Sequence, residues 1–243
     1  MTRILAIDTS SAWCSVALSL EDHPPELRHE LVSAGASQLL LPWIEDLLGQ
    51  AKITLAQLDG IAVDIGPGAF TGVRLGVAVV QGLAVAAEVP VLPVTSLDAL
   101  AAQVSLSAAF QKISPKLFAI AIDARMNEVY WAHYEAQSLS ALPKRIGDIH
   151  LSKPEDINFA GVEYVAGSAL KAYGQRVLDK CALPATALDG DVNISASGIL
   201  ACAKDMFAKG LQCHVRDLEP LYVRDKVALT TQERDIAYGK GVK

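Results

Sequence analysis

The chain has 243 residues, of which 51% are hydrophobic and 20% are charged, and its formal net charge is −6. This length and apolar content suit one large domain or two smaller ones with well-formed cores. An acidic chain with no run of Lys or Arg longer than two repels a phosphate backbone, which disfavours tight RNA binding by the chain alone. We therefore expect any RNA to be held by a partner protein.

The cysteines and the apolar stretches indicate a cytoplasmic protein. No two cysteines form a C-x-x-C pair, so neither a zinc knuckle nor a disulfide framework is predicted, and a reducing compartment is favoured. The most apolar stretch, Leu75–Ala87, has 13 residues, whereas a membrane span needs about 20, so it predicts a buried helix. A strand pattern begins at Arg3 with no signal peptide before it. The cysteines are Cys14, Cys181, Cys202 and Cys213.

The first hundred residues predict strands and helices in an order typical of α/β proteins. A Ser-rich turn joins the first two strands into a hairpin, and a glycine-rich loop joins a buried strand to a long helix. The predicted elements are strands Arg3–Thr9, Trp13–Leu20 and Leu27–Val32, helix Ser37–Ala51, strand Gly60–Ile65, a helix from Thr71 as cap to Glu88, strand Val91–Val94, and a helix from Ser96 as cap to Ala109.

The pattern then restarts in the second half of the chain. Leu117–Asp123 (LFAIAID) echoes the first strand, Val129–Tyr134 echoes the second, and Tyr164–Gly167 echoes the step from buried strand to loop. A repeated unit predicts an α/β protein with two related subdomains, each a mixed sheet flanked by helices. We expect residues 1–108 to form the first, residues 109–225 the second with a late helix that can pack back on the first, and residues 226–243 a flexible tail.

The glycine-rich segment DIGPGAFTGVRLG is the most informative motif in the chain. Glycines let backbone N–H groups approach a ligand, and a helix N-terminus favours an anion. They also permit a tight crossing from strand to helix without any ligand, and the spacing leaves both interpretations open. The candidate anion-binding residues are Gly66, Gly68, Thr71, Gly72 and Arg74.

Three segments in order carry a family resemblance: ILAIDTSSAWCSVAL, GPGAFTGVRLG and IDARMNEVYWA. Together they resemble the TsaB family of bacterial tRNA threonylcarbamoyladenosine biosynthesis subunits. The resemblance implies an actin/hexokinase-like fold and a non-catalytic role in threonylcarbamoyl transfer to the adenosine adjacent to the anticodon, in tRNAs reading codons that start with A. It also implies two partners, a TsaD-like catalytic subunit and a TsaE-like ATPase. Ala69 stands where the family loop more often has serine, as in GPGSFTG, which removes any hydroxyl contact there.

Metal chemistry is disfavoured by the residues present. In nucleotide-binding relatives of this fold, an aspartate at the position of Asp8 helps to hold a phosphate-bound metal. Here we favour Asp8 as a cap of the hairpin turn, because no cluster of further ligands accompanies it. By resemblance to TsaD-like proteins, Ser96 and Leu100 occupy the positions of two metal-binding histidines, which argues against a metallopeptidase-like protein. We expect no cofactor and no catalytic residue; a weak nucleotide-binding or hydrolysing enzyme remains the alternative.

Two of the predicted helices are apolar around most of their circumference, which is unusual for a surface helix. One interpretation is that they bury a shared face against a second protein, both in a homodimer and with the TsaD-like subunit. The other is burial within the chain by the second subdomain. The candidate interface residues are Leu40, Trp43, Ile44, Leu47, Val73, Gly76, Val77 and Val80.

Two further segments have no assigned chemistry. Asp123, Arg125 and Glu128 belong to a polar turn between two apolar strands. Leu218–Arg224 (LEPLYVR) is interpreted as a closing strand.

Overall fold

The computed structural model describes residues 2–20, 23–32, 35–138 and 141–224. The predicted tail, residues 226–243, lies outside these residues. Within the described residues, ten strands form two five-stranded sheets. The first five strands along the chain form one sheet and the next five form the other.

The first sheet is built around Arg3–Asp8 and Gly60–Asp64, two strands that are apolar except at their ends. Their residues are buried almost throughout, as expected for strands covered on both faces. The strands are β1 (Arg3–Asp8), β2 (Trp13–Leu20), β3 (Glu26–Leu31), β4 (Gly60–Asp64) and β5 (Val91–Val94), in the order β3-β2-β1-β4-β5. Strands β1, β2 and β3 pair antiparallel in chain order, whereas β1, β4 and β5 are parallel.

The second sheet repeats this topology. Its first three strands form an antiparallel meander, and the last two run parallel to the first. The strands are β6 (Leu117–Asp123), β7 (Val129–Glu135), β8 (Lys144–Ser152), β9 (Tyr164–Ala166) and β10 (Leu188–Asp189), in the order β10-β9-β6-β7-β8. The duplicated arrangement confirms the predicted actin/hexokinase-like fold. The sequence did not reveal β8, because this exposed edge strand lacks a regular apolar alternation.

Helices cover the sheets and fill the space between them. The helices are α1 (Ala36–Ala51), α2 (Phe70–Ala87), α3 (Ser96–Ser105), α4 (Ala108–Ile113), α5 (Ala169–Tyr173), α6 (Gln175–Leu178) and α7 (Ala196–Ala208). α1 and α2 pack on one face of the first sheet. α3 and α7 contact each other between the sheets; α3 reaches β6 and β7, and α7 lies on β1, β2 and β5.

The alternation along β1 explains how one strand serves two cores. Leu5 and Ile7 point to the α1/α2 side, whereas Ile4 and Ala6 face α3 and α7. Successive side chains of a strand point to opposite faces, so an uninterrupted apolar run is needed where both faces are covered. The subdomain boundaries given above stay a prediction.

Three helix boundaries differ from the sequence prediction. α2 begins at Phe70, and neither Ala69 nor Thr71 caps it with a side chain, so Thr71 as cap is wrong. α3 is capped by the Thr95 hydroxyl, which accepts from the N–H of Asp98, so Ser96 as cap is also wrong. The predicted helix to Ala109 is broken after α3, because the Ser107 side chain caps a separate α4.

Candidate functional site

The glycine loop packs directly against the turn of the first hairpin. The Ala69 N–H donates to the Ser10 carbonyl oxygen at 2.6 Å, and the Thr9 hydroxyl donates to the Gly72 carbonyl oxygen at 2.7 Å. A Cβ atom on Gly72 would lie 1.9 Å from the Thr9 oxygen, and one on Gly68 would lie 2.4 Å from the Ser10 oxygen. These contacts account for both glycines by close backbone approach, without a bound anion.

A pair of buried carboxyl groups lies beneath this contact. Asp8 is 0% exposed and Asp64 is 1% exposed. Asp64 accepts hydrogen bonds from the Ser10 hydroxyl at 2.8 Å, the Ser96 hydroxyl at 2.7 Å and the Gly66 N–H at 2.6 Å. Asp8 accepts from the Ser10 N–H at 2.8 Å, which is the turn-capping bond that the sequence favoured. The second Asp8 oxygen has no hydrogen-bond partner among the described residues.

The two carboxyl groups differ in the number of hydrogen bonds that they accept, and this difference affects their pKa values. Burial, together with the charge of Asp64, raises the pKa of Asp8 well above its ordinary value. Burial also raises the pKa of Asp64, but hydrogen bonds from Ser96, Gly66 and Ser10 oppose that shift. Because Asp64 accepts more hydrogen bonds than Asp8, we expect a proton bound by the pair to reside mainly on Asp8.

The metal that the fold family implies near Asp8 does not fit these residues. No group of three His, Cys, Asp or Glu side chains that could hold a metal occurs in the part of the chain that the structure describes. Both oxygens of Asp64 already accept hydroxyl or N–H hydrogen bonds. Ser96 faces Asp64 with its hydroxyl, and Leu100 is buried in the core, so neither histidine-equivalent position offers a metal ligand.

A cleft of about 610 Å³ opens between the hairpin turn and the second subdomain. On the far side, the Asp123 carboxylate accepts from the Tyr173 hydroxyl at 2.7 Å and lies 3.2 Å from the Arg125 guanidinium. Burial, and then the hydrogen bond and charge of Asp123, raise the pKa of Tyr173 to about 12. Tyr173 thus remains a neutral donor that fixes the carboxylate. The cleft is lined by polar side chains that include Ser10, Ser11, Ser168, Lys171 and Asn193.

The two segments without assigned chemistry meet each other. The Arg224 guanidinium lies 2.6 Å from the Glu128 carboxylate and donates to the Ala124 carbonyl oxygen at 3.0 Å. Leu218–Arg224 is not the predicted strand: it is an irregular segment in which Leu221 N–H donates to the Ile65 carbonyl oxygen at 2.7 Å. This connects the chain end of the described residues to the glycine loop. The sequence did not predict Phe70, Tyr222 and Arg224 as site residues. Phe70 is far from the other two in the chain, and the three come to line the same pocket only on folding.

The polar turn that contacts Arg224 has an unusual backbone. Arg125, Met126 and Asn127 all have left-handed φ angles, of 60°, 54° and 61°. Side chains other than glycine seldom adopt this region, and a run of three needs external support. Arg224 supplies that support from one side, and the Arg125 N–H donates to Asp123 at 2.8 Å from the other.

The structure places most of the predicted interface residues inside the chain. Leu40, Ile44, Leu47, Val73, Gly76, Val77 and Val80 are all buried within the chain's own core, and only Trp43 is half-buried. They lie on the sides of α1 and α2 that face the first sheet. Burial of the second helix within the chain, one of the two interpretations, is incomplete, because only five of the 18 residues of α2 are buried. That a partner meets these helices stays a prediction, and so does the choice of contact residues.

The outer side of α2 is apolar and exposed. By length and composition α2 is long and apolar enough to cross a membrane, a weak indication because core helices of soluble proteins meet the same criterion. Five of its residues are buried in the core. We call this outer side the α2 face. It consists of exposed small residues and one valine, namely Thr71, Ala78, Gly82, Val85 and Ala86, and the half-buried Leu75 and Val79 lie between them.

Comparisons with known proteins match this chain to proteins of tRNA threonylcarbamoyladenosine synthesis. A family model described as "TsaD: tRNA N6-adenosine threonylcarbamoyltransferase" matches residues 29–239. The TsaB protein of Escherichia coli (strain K12) is 34% identical over 93% of this chain and 96% of its own length. The TsaB protein of Haemophilus influenzae is 41% identical over 53% of this chain and 52% of its own length.

A solved structure supports the same assignment. YeaZ from Pseudomonas aeruginosa is 34% identical and superposes with a TM-score of 0.78, covering 91% of this chain and all of its own. Its fold and the full-length sequence match to the E. coli protein are consistent with the three motifs quoted above. The chain belongs to the TsaB family of tRNA threonylcarbamoyladenosine biosynthesis proteins.

Proposed function

We propose that the chain is a non-catalytic cytoplasmic subunit that binds and activates a TsaD-type catalytic subunit, together with a TsaE-type ATPase. It would thereby support threonylcarbamoyl transfer to the adenosine adjacent to the anticodon. The observation that carries this proposal is the exposed apolar α2 face. Contiguous apolar surface of this kind is uncommon on monomers and marks a contact with another protein.

The α2 face has the chemistry of a helix-packing surface. Its small residues, Ala78, Gly82 and Ala86, allow a second helix to approach closely. α1 adds Leu41, which is 50% exposed, and the half-buried Trp43. A catalytic subunit of related fold would offer a similar pair of helices. A second copy of this chain would use the same surface about a two-fold axis and compete with it.

Several contacts support a role without chemistry. The glycine loop is closed against the hairpin turn, and the raised pKa of Asp8 weakens the attraction of the Asp8–Asp64 pair for a cation. Ser96 hydrogen-bonds Asp64 where TsaD-like relatives would place a metal ligand. We therefore propose that the chain needs no cofactor of its own and contributes binding surface.

A charge placed on the α2 face tests this proposal. Ala78→Asp should leave the chain folded but abolish both self-association and co-purification with the catalytic subunit, and tRNA modification should fail. Ala109→Asp adds the same charge at an exposed position on α4 and serves as the matched control. If Ala78→Asp still binds the catalytic subunit and supports modification, the interface lies elsewhere.

The cleft between the subdomains keeps one alternative open, a weak nucleotide-binding or hydrolysing enzyme. Its volume of about 610 Å³ is within the usual range for small-molecule sites. Because the hairpin turn packs against the glycine loop and the Ala69 N–H already donates to Ser10, we expect weak or no binding of ATP and ADP in calorimetry. Submicromolar affinity, or turnover by the chain alone, would favour the enzyme instead.

A further inference from the structure

Three arginines from distant parts of the sequence line one small pocket beside the first turn of α2. Arg74, Arg125 and Arg224 border a pocket of about 190 Å³ whose walls are otherwise mainly apolar. A search for runs of basic residues cannot find such a cluster, because its members come from the glycine loop helix, the polar turn and the Leu218–Arg224 segment. The structure thus brings together three arginines that are far apart in the sequence.

Exposed aromatic rings accompany these arginines. Phe70 is 53% exposed and Tyr222 is 56% exposed. The guanidinium carbon of Arg74 lies 3.2 Å from the centroid of the Phe70 ring and 5.0 Å from that of Tyr222. A planar guanidinium beside two planar rings is the arrangement on which proteins stack unpaired nucleobases.

The charges of the pocket are only partly neutralised. Arg224 pairs with Glu128 at 2.6 Å, and its side chain is 13% exposed, so it supports the turn and is not a free cation. Arg125 lies 3.2 Å from Asp123, but its side chain is 83% exposed. No ion pair to Arg74 occurs among the described residues. Arg74 and Arg125 are therefore the two cations that a phosphate could reach.

We propose that this arginine–aromatic pocket contacts an unpaired nucleotide of the RNA substrate. The base stacks on the platform of Tyr222, Phe70 and Arg74, and the adjoining phosphates meet Arg74 and Arg125. The inference rests on the proposed function and goes beyond it, since the sequence predicts RNA contact only through a partner. Because the chain is acidic elsewhere, one or two phosphate contacts give weak binding with a shallow salt dependence.

Fluorescence anisotropy with a labelled tRNA anticodon stem-loop tests the contact. The full chain is titrated at low ionic strength against the stem-loop and against a blunt duplex of the same stem. We expect the stem-loop to bind more tightly, since only unpaired bases can stack. Arg74→Gln and Tyr222→Ala should each weaken its binding about fivefold or more, whereas Tyr222→Phe retains the ring and should bind as the wild type does.

A matched control separates this pocket from general electrostatics. Arg216→Gln removes the same charge at an exposed position outside the pocket and should change the affinity by less than about twofold. Equal losses for Arg216→Gln and Arg74→Gln would overturn the proposal, as would an absence of stem-loop binding at the highest soluble concentration.

Co-purification with the catalytic subunit distinguishes the two proposals. If Tyr222→Ala keeps its RNA affinity but loses the catalytic subunit, the pocket is a protein-docking surface and the RNA contact is wrong. If it loses RNA affinity while co-purification and the Ala78→Asp result stand as expected, both proposals hold. If Ala78→Asp leaves tRNA modification intact, the proposed interface is wrong. The RNA contact would still hold in that case, provided that the chain binds the stem-loop.

Discussion

Asp8 and Asp123 occupy equivalent positions at the ends of β1 and β6, and each accepts the backbone N–H two residues further on at 2.8 Å. Their surroundings differ sharply. Asp8 is fully buried beside a second carboxyl group, whereas Asp123 is partly exposed and receives Tyr173 and Arg125. The repeat therefore duplicates the turn in two different electrostatic environments: burial favours the neutral form of Asp8, whereas Asp123 has the Arg125 guanidinium beside it.

The raised pKa of Asp8 predicts a stability that falls with rising pH. Its pKa is raised in the folded chain, so the stabilisation is complete below the unfolded pKa and is lost as pH rises through the folded pKa. Asp8→Asn removes the titration and should raise the free energy of unfolding by about 1 kcal/mol at neutral pH. Urea unfolding from acidic to alkaline pH measures the free energy of unfolding of the wild type and of Asp8→Asn. If the two free energies change with pH in parallel, the raised pKa of Asp8 is refuted.

The hydroxyl of Ser96 should contribute to stability through Asp64. Ser96→Ala removes a buried hydrogen bond to the Asp64 carboxyl group, a loss of about 1–3 kcal/mol in the free energy of unfolding. Ser105→Ala, which removes a hydroxyl bonded only to a carbonyl of its own helix, is the control and should cost less than about 1 kcal/mol. Equal costs in thermal or urea unfolding would contradict the arrangement.

The closed glycine loop predicts a large effect of one added methyl group. Gly72→Ala places a Cβ atom 1.9 Å from the Thr9 carbonyl oxygen, so the hairpin turn must move. We expect a loss of about 1–3 kcal/mol in the free energy of unfolding. Gly49→Ala in α1 has nothing within 4 Å and should leave stability unchanged or raise it by up to about 1 kcal/mol. A tolerated Gly72→Ala would mean that the loop is open.

Arg224 should stabilise the left-handed turn from outside. Arg224→Ala removes a 2.6 Å ion pair and a hydrogen bond to Ala124, so hydrogen exchange across residues 123–128 should accelerate, with a loss of about 1–3 kcal/mol. Arg28→Ala breaks a more exposed pair with Asp46 and should cost less than about 1 kcal/mol. Unchanged exchange in the turn would show that it holds its shape without Arg224.

The motifs and the repeat could be predicted because they depend on local patterns. An apolar run such as Arg3–Asp8 specifies a buried strand by itself, and its echo at Leu117–Asp123 predicted the second sheet. Helix caps were less secure, since Thr71, Ser96 and Thr95 are all chemically able to cap and only the backbone path selects among them.

The sequence by itself determined the fold class, the family and the absence of histidines at two critical positions, because each of these is written in residue order. The tertiary structure alone decided which side of α2 faces solvent, since a helix that is apolar all round carries no periodic signal to orient it. It also decided that Asp8 lies against Asp64 and that Arg74, Arg125 and Arg224 share a pocket. Those juxtapositions join residues far apart in the chain, and only the packing of both subdomains brings their charges within range of one another.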